Sequence, residues 1–391
     1  MSGASLERTG AVIVAGLRTP IARAKGAYRT LGAHELLAPV LAALLAETGL
    51  DGGEVADVIA GNATGGGGNV ARLAALTAGL PLGVPGLTVD RQCGSGLEAV
   101  NLACRLIAAG AGEAYLAGGT ESISTAPARA HRRADGSLDF YDRAQFAPAE
   151  LGDPDVGTAA ENVAAAFGIS RERQDAYALA SHRRALESQA AGVFDRELVR
   201  GLPLTADDGP RRALSETLLG RFPAAFVPGG TVTAGNSCPY SDGAAAVLVL
   251  SRTKARSLGF SHGLVFAESA ATGCEPALLG MGAAASTRAV LRRAGLDTGD
   301  LGTTIPVLEF NEAFASQVLA VADQLELDPA LLNRQGGALA LGHPYGASGA
   351  VSMVRLLAQS RGTAAEGQAA LAMISIAGGM GISSLFRWER C

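Results

Sequence analysis

The sequence predicts an α/β fold, in which a parallel or mixed sheet carries helices on its faces. Three observations predict this class. Apolar runs of strand length alternate with amphipathic helical stretches towards both ends of the chain, this alternation stops in the middle, and a faint internal repeat relates the two ends. A chain of 391 residues is also too long for one simple core, which favours two or three domains or a duplicated architecture.

The first alternation of strands and helices spans residues 11–122. The predicted helices are 33–49 (AHELLAPVLAALLAETG), 71–81 (ARLAALTAGLP) and 94–110, and Gly49 closes the first of them. The predicted strands are 11–16 (AVIVAG), 55–62 (VADVIAGN), 86–90 (GLTVD) and 113–122 (EAYLAGGTES), the last running into a Gly-Gly turn. This order favours helices packed on the faces of a parallel or mixed sheet.

The middle of the chain has a different character. From residue 122 to 242 the density of charged residues rises and strand signals fade. The stretch 158–188 (TAAENVAAAFGISRERQDAYALASHRRALES) predicts two helices joined at Gly-Ile-Ser, with Ser170 capping the second. We therefore predict an inserted subdomain of helices and loops at 122–242.

The rhythm of strands and helices returns at residues 242–251 (DGAAAVLVLS) and continues to the end. In each half a Gly- and Ser-rich turn opens a helix, at 93–110 and at 345–360, and the strand that follows ends in Gly-Gly. This repeat predicts duplicated halves whose two helix N-termini face one centre. The first half is then 1–121 with 243–262, and the second is 263–391.

Composition and charge exclude several classes of function. The net charge is −5 and no basic stripe occurs, which argues against nucleic-acid binding. The five cysteines are widely spaced without a CxxC pair, and neither they nor the five histidines have the spacing of metal ligands. This pattern favours a reducing compartment. The sequence also lacks the pattern of a signal peptide or a membrane span, so we expect a cytoplasmic protein without a metal.

Three short stretches carry residues suited to chemistry. Cys93, in Gln-Cys-Gly-Ser-Gly, comes just before a predicted helix, whose N-terminus favours the thiolate and so lowers a thiol pKa. His343 lies in a Gly- and Pro-rich turn before another helix, where a neutral imidazole could accept the thiol proton. The turn at Gly378 and Gly379 would present backbone N–H groups to a negative oxygen. Taken singly, such stretches are more often explained by packing, by a surface or core histidine or by an ordinary turn.

Together these stretches resemble the thiolase family almost from end to end. The shared segments run in order from RTPIARAKGAY (18–28) and GNVARLAALTAGLP (68–81) to the end of the chain. The most specific are CGSGL at 93–97, NEAFA at 311–315 and GGALALGHPYGASGA at 336–350; the others are GGTES, TAAENVA, GTVTAGN and SDGAAAV. The resemblance implies an αβαβα sandwich of two βαβαβαββ halves with a loop domain inserted in the first.

The resemblance also implies a site and a substrate class. Coenzyme A thioesters would be substrates, no separate cofactor would be needed, and the protein would be a homodimer or homotetramer. Cys93 would accept the acyl group, with its own N–H and that of Ala377 forming one oxyanion hole. His343 would activate Cys93 and, with a water oriented by Asn311, form the second hole. Splitting acyl transfer through a thioester makes two easier steps from a hard one.

One departure from the family pattern affects the chemistry directly. Thiolases normally end with a Cys-x-Gly-Gly-Gly stretch, whose cysteine is the base that removes a proton from the α-carbon of the second substrate. Here Ser375 takes that place and Ala377 replaces the first glycine. A serine hydroxyl is a poor base near pH 7, so Ser375 would need help or a replacement.

Further departures cluster where coenzyme A should bind. Asp155 and Val156 stand where many thiolases have His-Met, Cys238 and Pro239 stand where Ser-Gly is usual, and GMGAAAST (280–287) replaces GPVPA. The expected contacts to substrate and coenzyme A are Arg221, Ser237, Cys238, Gly378 and Gly379, with Arg221 shifted by about two positions. Cys238 is the best spare thiol for the missing base.

Three functions remain open at this point. The first is a thiolase-type C-acyltransferase, for Claisen condensation or its reverse, in which Ser375, Cys238 or a water assisted by His343 is the base. The second uses only acylation of Cys93 and passes the acyl group to another nucleophile, to water or to a partner made by decarboxylation. The third is a non-catalytic subunit that binds coenzyme A.

Overall fold

The computed structural model of the protein describes residues 10–391, apart from the side chain of Thr363. The amino-terminal end, for which the sequence predicts no signal peptide, lies partly outside these residues. Strands and helices alternate through the first half as predicted. The strands are β1 (Ala11–Arg18), β2 (Ala22–Arg23), β3 (Asp57–Gly61), β4 (Gly86–Val89) and β5 (Ala114–Glu121). The helices are α1 (Ala33–Thr48), α2 (Val70–Thr77) and α3 (Ser95–Ala108).

The insert contains the two predicted helices and, in addition, a β-hairpin. Its elements are β6 (Arg129–Arg132), β7 (Leu138–Tyr141), α4 (Val156–Ala166), α5 (Arg171–Ala190) and the short α6 (Glu216–Leu219). Ser170 caps α5 by accepting a hydrogen bond from the backbone of Arg173 at 3.3 Å, as the sequence predicts. The expectation of helices and loops alone was wrong, because His131 and Tyr141 stack across the two strands at 4.7 Å and stabilise a hairpin.

The second alternation contains the remaining strands and helices. The strands are β8 (Ser241–Ser251), β9 (His262–Gly273), β10 (Val307–Phe310), β11 (Ala369–Ile376) and β12 (Met380–Arg390). The helices are α7 (Arg252–Ser257), α8 (Gly282–Ala294), α9 (Ala315–Gln324), α10 (Ala338–Leu341) and α11 (Tyr345–Thr363). Where the duplicated pattern expects one more strand, Leu332 forms a single bridge to Leu308.

The long strands form one mixed sheet in the order β10-β11-β12-β9-β1-β8-β5-β3-β4, and β2 pairs with β8. The two halves of this sheet meet between β1 and β9. That junction consists of only two residue pairs, Val12 with Val265 and Ile13 with Leu264. The sheet is therefore two units joined at a narrow seam.

Three apolar cores divide the molecule into layers. The central core combines α3 and α11 with one face of each half of the sheet, for example Val100 and Val354 with Val247 and Ile374. A second core lies between the first half and α1 with α2, and a third between the second half and α8 with α9. The result is the αβαβα arrangement that the resemblance implies, with α3 and α11 buried at its centre.

Glycines bring the N-termini of α3 and α11 together. A Cβ atom on Gly96 would lie 2.7 Å from the carbonyl oxygen of Gly346, so this approach requires glycine. Gly118 and Gly119 pair with Ala246 and Ala245 inside β5, which corrects the predicted Gly-Gly turn. The reason is the same close packing, because a Cβ on Gly119 would lie 1.9 Å from the oxygen of Gly346. The two helix N-termini thus face one centre, as the repeat predicts.

Candidate active site

Cys93 lies in a tight turn that leads into α3. The turn is closed by a hydrogen bond from Gly94 N–H to the Arg91 carbonyl, at 3.0 Å, and by Ser95 Oγ, which accepts from Arg91 N–H and donates to the Gln92 carbonyl. Gln92 has φ 48°, a left-handed conformation that is uncommon for a residue other than glycine. The residue before the thiol is thus held in a strained conformation, which is a frequent feature of functional sites.

The Cys93 thiol lies against the bend between β11 and β12. A Cβ on the neighbouring Gly94 would lie 2.4 Å from the Ile376 side chain, and the backbone N–H groups of Ala377 and of Cys93 itself are close enough to lower the pKa of the thiol. Burial raises the thiol pKa to about 12, these two N–H groups lower it, and the carboxylates of Glu121 and Asp90 raise it further. Burial therefore outweighs the lowering expected from the helix N-terminus, and the free thiol needs a base.

His343 provides an imidazole that is neutral in the ordinary pH range. Burial lowers its pKa to about 3. Ser348 Oγ lies 2.6 Å from Nδ1, and Asn311 Nδ2 lies 3.4 Å from Nε2. Because an amide nitrogen can only donate, Nε2 is the accepting nitrogen, and Nδ1 carries the proton and donates to Ser348. The nitrogen left to take a proton is therefore Nε2.

Two buried carboxylates hold the loops that carry these groups. Glu312, next to Asn311, accepts hydrogen bonds from Tyr177, Ser181, Asn333 and the backbone of Leu339. Glu121 accepts from Asn62, from the backbone of Ala63, from the backbone and hydroxyl of Thr64 and from the backbone of Gly346 at the start of α11. Sequence reasoning assigned no role to Glu121, Glu312 or Ser348, although all three lie inside the quoted motifs GGTES, NEAFA and GASG.

The bend at Gly378 and Gly379 requires glycine for two reasons. Both residues have positive φ, 81° and 77°. A Cβ on Gly379 would also lie 2.5 Å from the carbonyl oxygen of Cys274, whose own N–H donates to Gly379 at 2.7 Å. The bend places Ala377 beside the Cys93 turn, and the oxyanion hole formed by its N–H stays a prediction.

Ser375 is buried two residues before Ala377, and both functions of its hydroxyl are occupied. It donates to the Gly280 carbonyl at 2.6 Å and accepts from Ala283 N–H at 3.0 Å. Both partners belong to the segment GMGAAAST, where the family usually has GPVPA. The Ser375 hydroxyl therefore stabilises the start of α8, and its own proton is donated to the backbone in this arrangement.

A second thiol and a phenol lie close to Cys93. Cys238 is partly exposed, and its backbone N–H donates to the Ala313 carbonyl at 3.0 Å, which ties it to the NEAFA loop. Burial and the neighbouring Cys93 hold the pKa of Cys238 above its ordinary range. Burial, followed by Cys238, Tyr240 and Cys93, raises the pKa of Tyr345 in the same way. The structure thus brings Cys238 to the nucleophile, together with a tyrosine that sequence reasoning did not single out.

Ser237, and Asp155 and Val156 at the position of the usual His-Met pair, make contacts with neighbouring segments of the insert and of the NEAFA loop. Ser237 bonds to the Thr233 carbonyl at 2.7 Å and forms a bridge with Phe314. Val156 packs with Phe314 in a small apolar cluster, whereas Asp155 pairs with Arg143 at 2.9 Å. Phe226 meets Phe314 edge-on, with ring centres 5.9 Å apart.

Arg221 is exposed, and within residues 10–391 its side chain makes no hydrogen bond or ion pair that ties it to the site. A cavity of about 500 Å³ opens elsewhere, between α5 and residues 211–217. Its lining includes Arg183, Arg211 and Arg212. These arginines are additional candidates for an anionic group on the insert.

Comparisons with known proteins agree on one family. Residues 11–253 match the family described as thiolase, N-terminal domain, and residues 264–388 match thiolase, C-terminal domain. The Staphylococcus aureus protein VraB, whose name provisionally assigns it as an acetyl-CoA C-acetyltransferase, is 41% identical over 384 residues, covering 96% of this chain and 98% of VraB. The Bacillus subtilis protein YhfS, provisionally named in the same way, is 42% identical over 378 residues with the same coverage.

Solved structures give the same result. The acetyl-CoA acetyltransferase of Bacillus anthracis superimposes with a TM-score of 0.90 at 31% identity, covering 98% of this chain and 99% of that one. Human mitochondrial 3-ketoacyl-CoA thiolase also reaches 0.90 at 31% identity, covering 97% and 99%. With both domains matched over nearly the whole chain, this protein belongs to the thiolase family, a family of transferase enzymes.

Proposed function

We propose that this thiolase-family protein is an acyl-CoA C-acyltransferase that works through an acyl-enzyme on Cys93. The observation that carries the proposal is the close packing of the Cys93 turn on the glycine bend, where a Cβ on Gly94 would lie 2.4 Å from the Ile376 side chain and the Ala377 N–H lowers the pKa of Cys93. We assign the role of the base to the neutral His343, with Nε2 as its accepting nitrogen. The names of VraB and YhfS support the same chemistry.

In the first step Cys93 takes up the acyl group. Its thiol proton moves to His343 Nε2 as the sulfur attacks the thioester carbonyl, and the N–H groups of Cys93 and Ala377 stabilise the oxyanion. The bond between the carbonyl carbon and the sulfur of coenzyme A then breaks, leaving the acyl group on Cys93. The departing thiolate of coenzyme A must then gain a proton.

We propose Cys238, rather than Ser375, as the second acid and base. Its thiol proton passes to the leaving thiolate, and the resulting Cys238 thiolate removes the α-proton of the next acyl-CoA. His343 and a water held by Asn311 stabilise the oxygen of the resulting enolate. The carbanion attacks the acyl-Cys93 carbonyl, the new carbon–carbon bond forms, and Cys93 leaves as a thiolate that regains its proton from His343.

Acylation tests the first part of this proposal. After mixing with acetyl-CoA, intact-mass spectrometry of the wild-type protein should show one added acetyl group, and peptide mapping should place it on Cys93. Cys93→Ala should show no adduct, whereas Cys391→Ser, at the far end of the chain, should be acetylated like the wild type. A wild-type protein that stays unmodified by any acyl-CoA would contradict the proposal and favour a non-catalytic subunit.

Exchange of the α-protons tests the second part. The wild-type protein should wash deuterium from solvent into the methyl group of acetyl-CoA, and Cys238→Ala should lower this exchange about 100-fold, a typical loss for a missing acid–base group. Ser375→Ala should retain the exchange. If Ser375→Ala abolishes it and Cys238→Ala does not, Ser375 is the base.

Acylation without exchange in the wild type favours the second candidate, an enzyme that uses only the Cys93 half-reaction. The observation that supports this candidate is that the Ser375 hydroxyl already donates to the Gly280 carbonyl and accepts from Ala283 N–H. Hydrolysis of acetyl-CoA, or transfer of the acetyl group to an added thiol or amine, would then be the measurable activity.

We also propose that the enzyme is an oligomer built on a dimer. Strand β4 lies at the edge of the sheet, four residues before Cys93, and Leu87 on it is partly exposed. Leu73, Leu76 and Leu82 on and after α2 add exposed apolar surface to the same edge. Sedimentation should give at least twice the mass of 39.4 kDa; a monomer would contradict the proposal.

A further inference from the structure

Tyr345 stands at the point where the two central helices meet. It is the first residue of α11, and the next residue, Gly346, packs against Gly96 in the first turn of α3. Cys93 lies just before that turn. The fold therefore places the side chain of Tyr345 beside the nucleophile, although the two residues come from opposite halves of the chain.

The ring of Tyr345 is packed between two other rings. His343 lies on one side, with ring centres 5.0 Å apart at 77°, and Tyr240 on the other, 6.3 Å apart at 84°. Both contacts have the edge-to-face geometry that aromatic rings favour. The series runs from the buried His343 to Tyr240, which is 65% exposed, and so leads from the catalytic base to the protein surface.

This ring has little freedom to move away. The backbone of Gly346 donates to buried Glu121 at 3.0 Å, and Ala347 N–H bonds to the Pro344 carbonyl at 2.7 Å, so the start of α11 is fixed. A backbone bridge between Tyr240 and His343 holds these two residues side by side. Within the described residues the Tyr345 side chain is only partly buried and its hydroxyl has no protein hydrogen-bond partner, so it borders open space rather than the core.

From this arrangement we propose that Tyr345 limits the length of the acyl group that Cys93 accepts, and that the enzyme takes short acyl groups of about two to four carbons. The inference rests on the proposed acyl-enzyme. An acyl chain on Cys93 extends about 1.3 Å with each further carbon and meets a rigid aromatic wall. Because a close-packed ring cannot move aside without strain, longer chains are disfavoured.

The test is the rate of acylation of Cys93, measured by intact mass with acetyl-, butyryl-, hexanoyl- and octanoyl-CoA. In the wild type, acetyl and butyryl groups should load at least tenfold faster than octanoyl. Tyr345→Ala and Tyr345→Leu should raise the octanoyl rate relative to acetyl at least tenfold. Tyr345→Phe is the matched control, because it keeps the ring, and should retain the wild-type preference.

The outcomes separate this inference from the proposed function. A wild type that loads octanoyl as fast as acetyl, or a Tyr345→Ala protein with an unchanged preference, overturns the role of Tyr345 and leaves the acyl-enzyme in place. A changed preference in Tyr345→Phe shows that the hydroxyl rather than the ring selects the substrate, which also overturns it. Absence of any adduct in the wild type overturns the proposed function and this inference with it.

Discussion

At the scale of single residues, the Ser375 hydroxyl finds hydrogen-bond partners in a segment that also departs from the family pattern. The hydroxyl bridges the Gly280 carbonyl and Ala283 N–H, which come from the start of α8. A proline at position 283, as the usual family motif would supply, has no N–H to donate. Serine at 375 and alanine at 283 therefore suit each other, because the hydroxyl accepts from an Ala283 N–H that a proline would lack.

Ser375→Ala should consequently cost stability. It leaves a buried carbonyl and a buried N–H without partners, which lowers the free energy of unfolding by about 1–3 kcal/mol. Urea denaturation followed by circular dichroism measures this loss. An unchanged midpoint would show that the two backbone groups find other partners.

At the scale of elements, the active site depends on the crossing of α3, α11 and β5. Helix α11 packs so closely on β5 that its Gly346 carbonyl lies where a Cβ of Gly119 would be, at 1.9 Å. Such an approach cannot be relieved by rotating a side chain, because backbone atoms form the contact. The position of Gly346 in turn fixes the position of Tyr345, and the backbone N–H of Gly346 donates a hydrogen bond to Glu121.

Gly119→Ala should therefore displace α11 and impair both folding and acylation. Overpacking of this kind costs about 1–3 kcal/mol or more, and we expect a lower thermal midpoint together with slower loading of Cys93. Gly83→Ala is the control, because a Cβ there meets nothing within 4 Å and its backbone is not left-handed. Equal behaviour of the two variants would contradict the close contact.

At the scale of the whole molecule, a buried network of charges joins the insert to both halves. Arg18 at the end of β1 pairs with Glu197 at 2.7 Å and with Asp207 at 2.6 Å, and Arg355 on α11 also pairs with Glu197. Glu309 on β10 lies beside Arg355 and accepts from Gln359. The positive charges of Arg18 and Arg355 are already balanced by the carboxylates of Glu197 and Asp207. An ionised Glu309 would therefore add a negative charge without a matching positive one.

Burial raises the pKa of Glu309 from 4.5 to about 7; Arg355 and the Gln359 hydrogen bond lower it, and the charges of Glu312 and Glu197 raise it. Between pH 4.5 and 7 the folded protein keeps a proton that the unfolded chain has lost. Glu309 therefore destabilises the fold as pH rises through this range.

Glu309→Gln should remove this dependence. The free energy of unfolding of the variant, minus that of the wild type, should rise from pH 4.5 to pH 7 by up to about 3 kcal/mol. The two proteins are compared by difference because His343 and His182, whose pKa values are lowered to about 3 and about 4, also make stability depend on pH. Their burial lowers the free energy of unfolding of both proteins as pH falls below 6.5. A difference that is constant with pH would contradict a proton on Glu309.

The sequence by itself determined the α/β class, and it predicted the position of the insert and the grouping of Cys93, His343 and Asn311 in one site. These features follow from apolar periodicity and from short motifs, which act over a few neighbouring residues. The hairpin at 129–141 could not be predicted from the sequence, because a stacked pair across two short strands leaves no periodic pattern of apolar residues.

Only the tertiary structure decided the burial, the hydrogen-bond partners and the neighbours of these side chains. The raised pKa of Cys93, the occupied hydroxyl of Ser375, the approach of Cys238 and the ring contacts of Tyr345 with His343 and Tyr240 all arise where segments from the two halves and the insert meet. Burial and hydrogen bonding at such a meeting point depend on groups far apart along the chain, so no local pattern contains them.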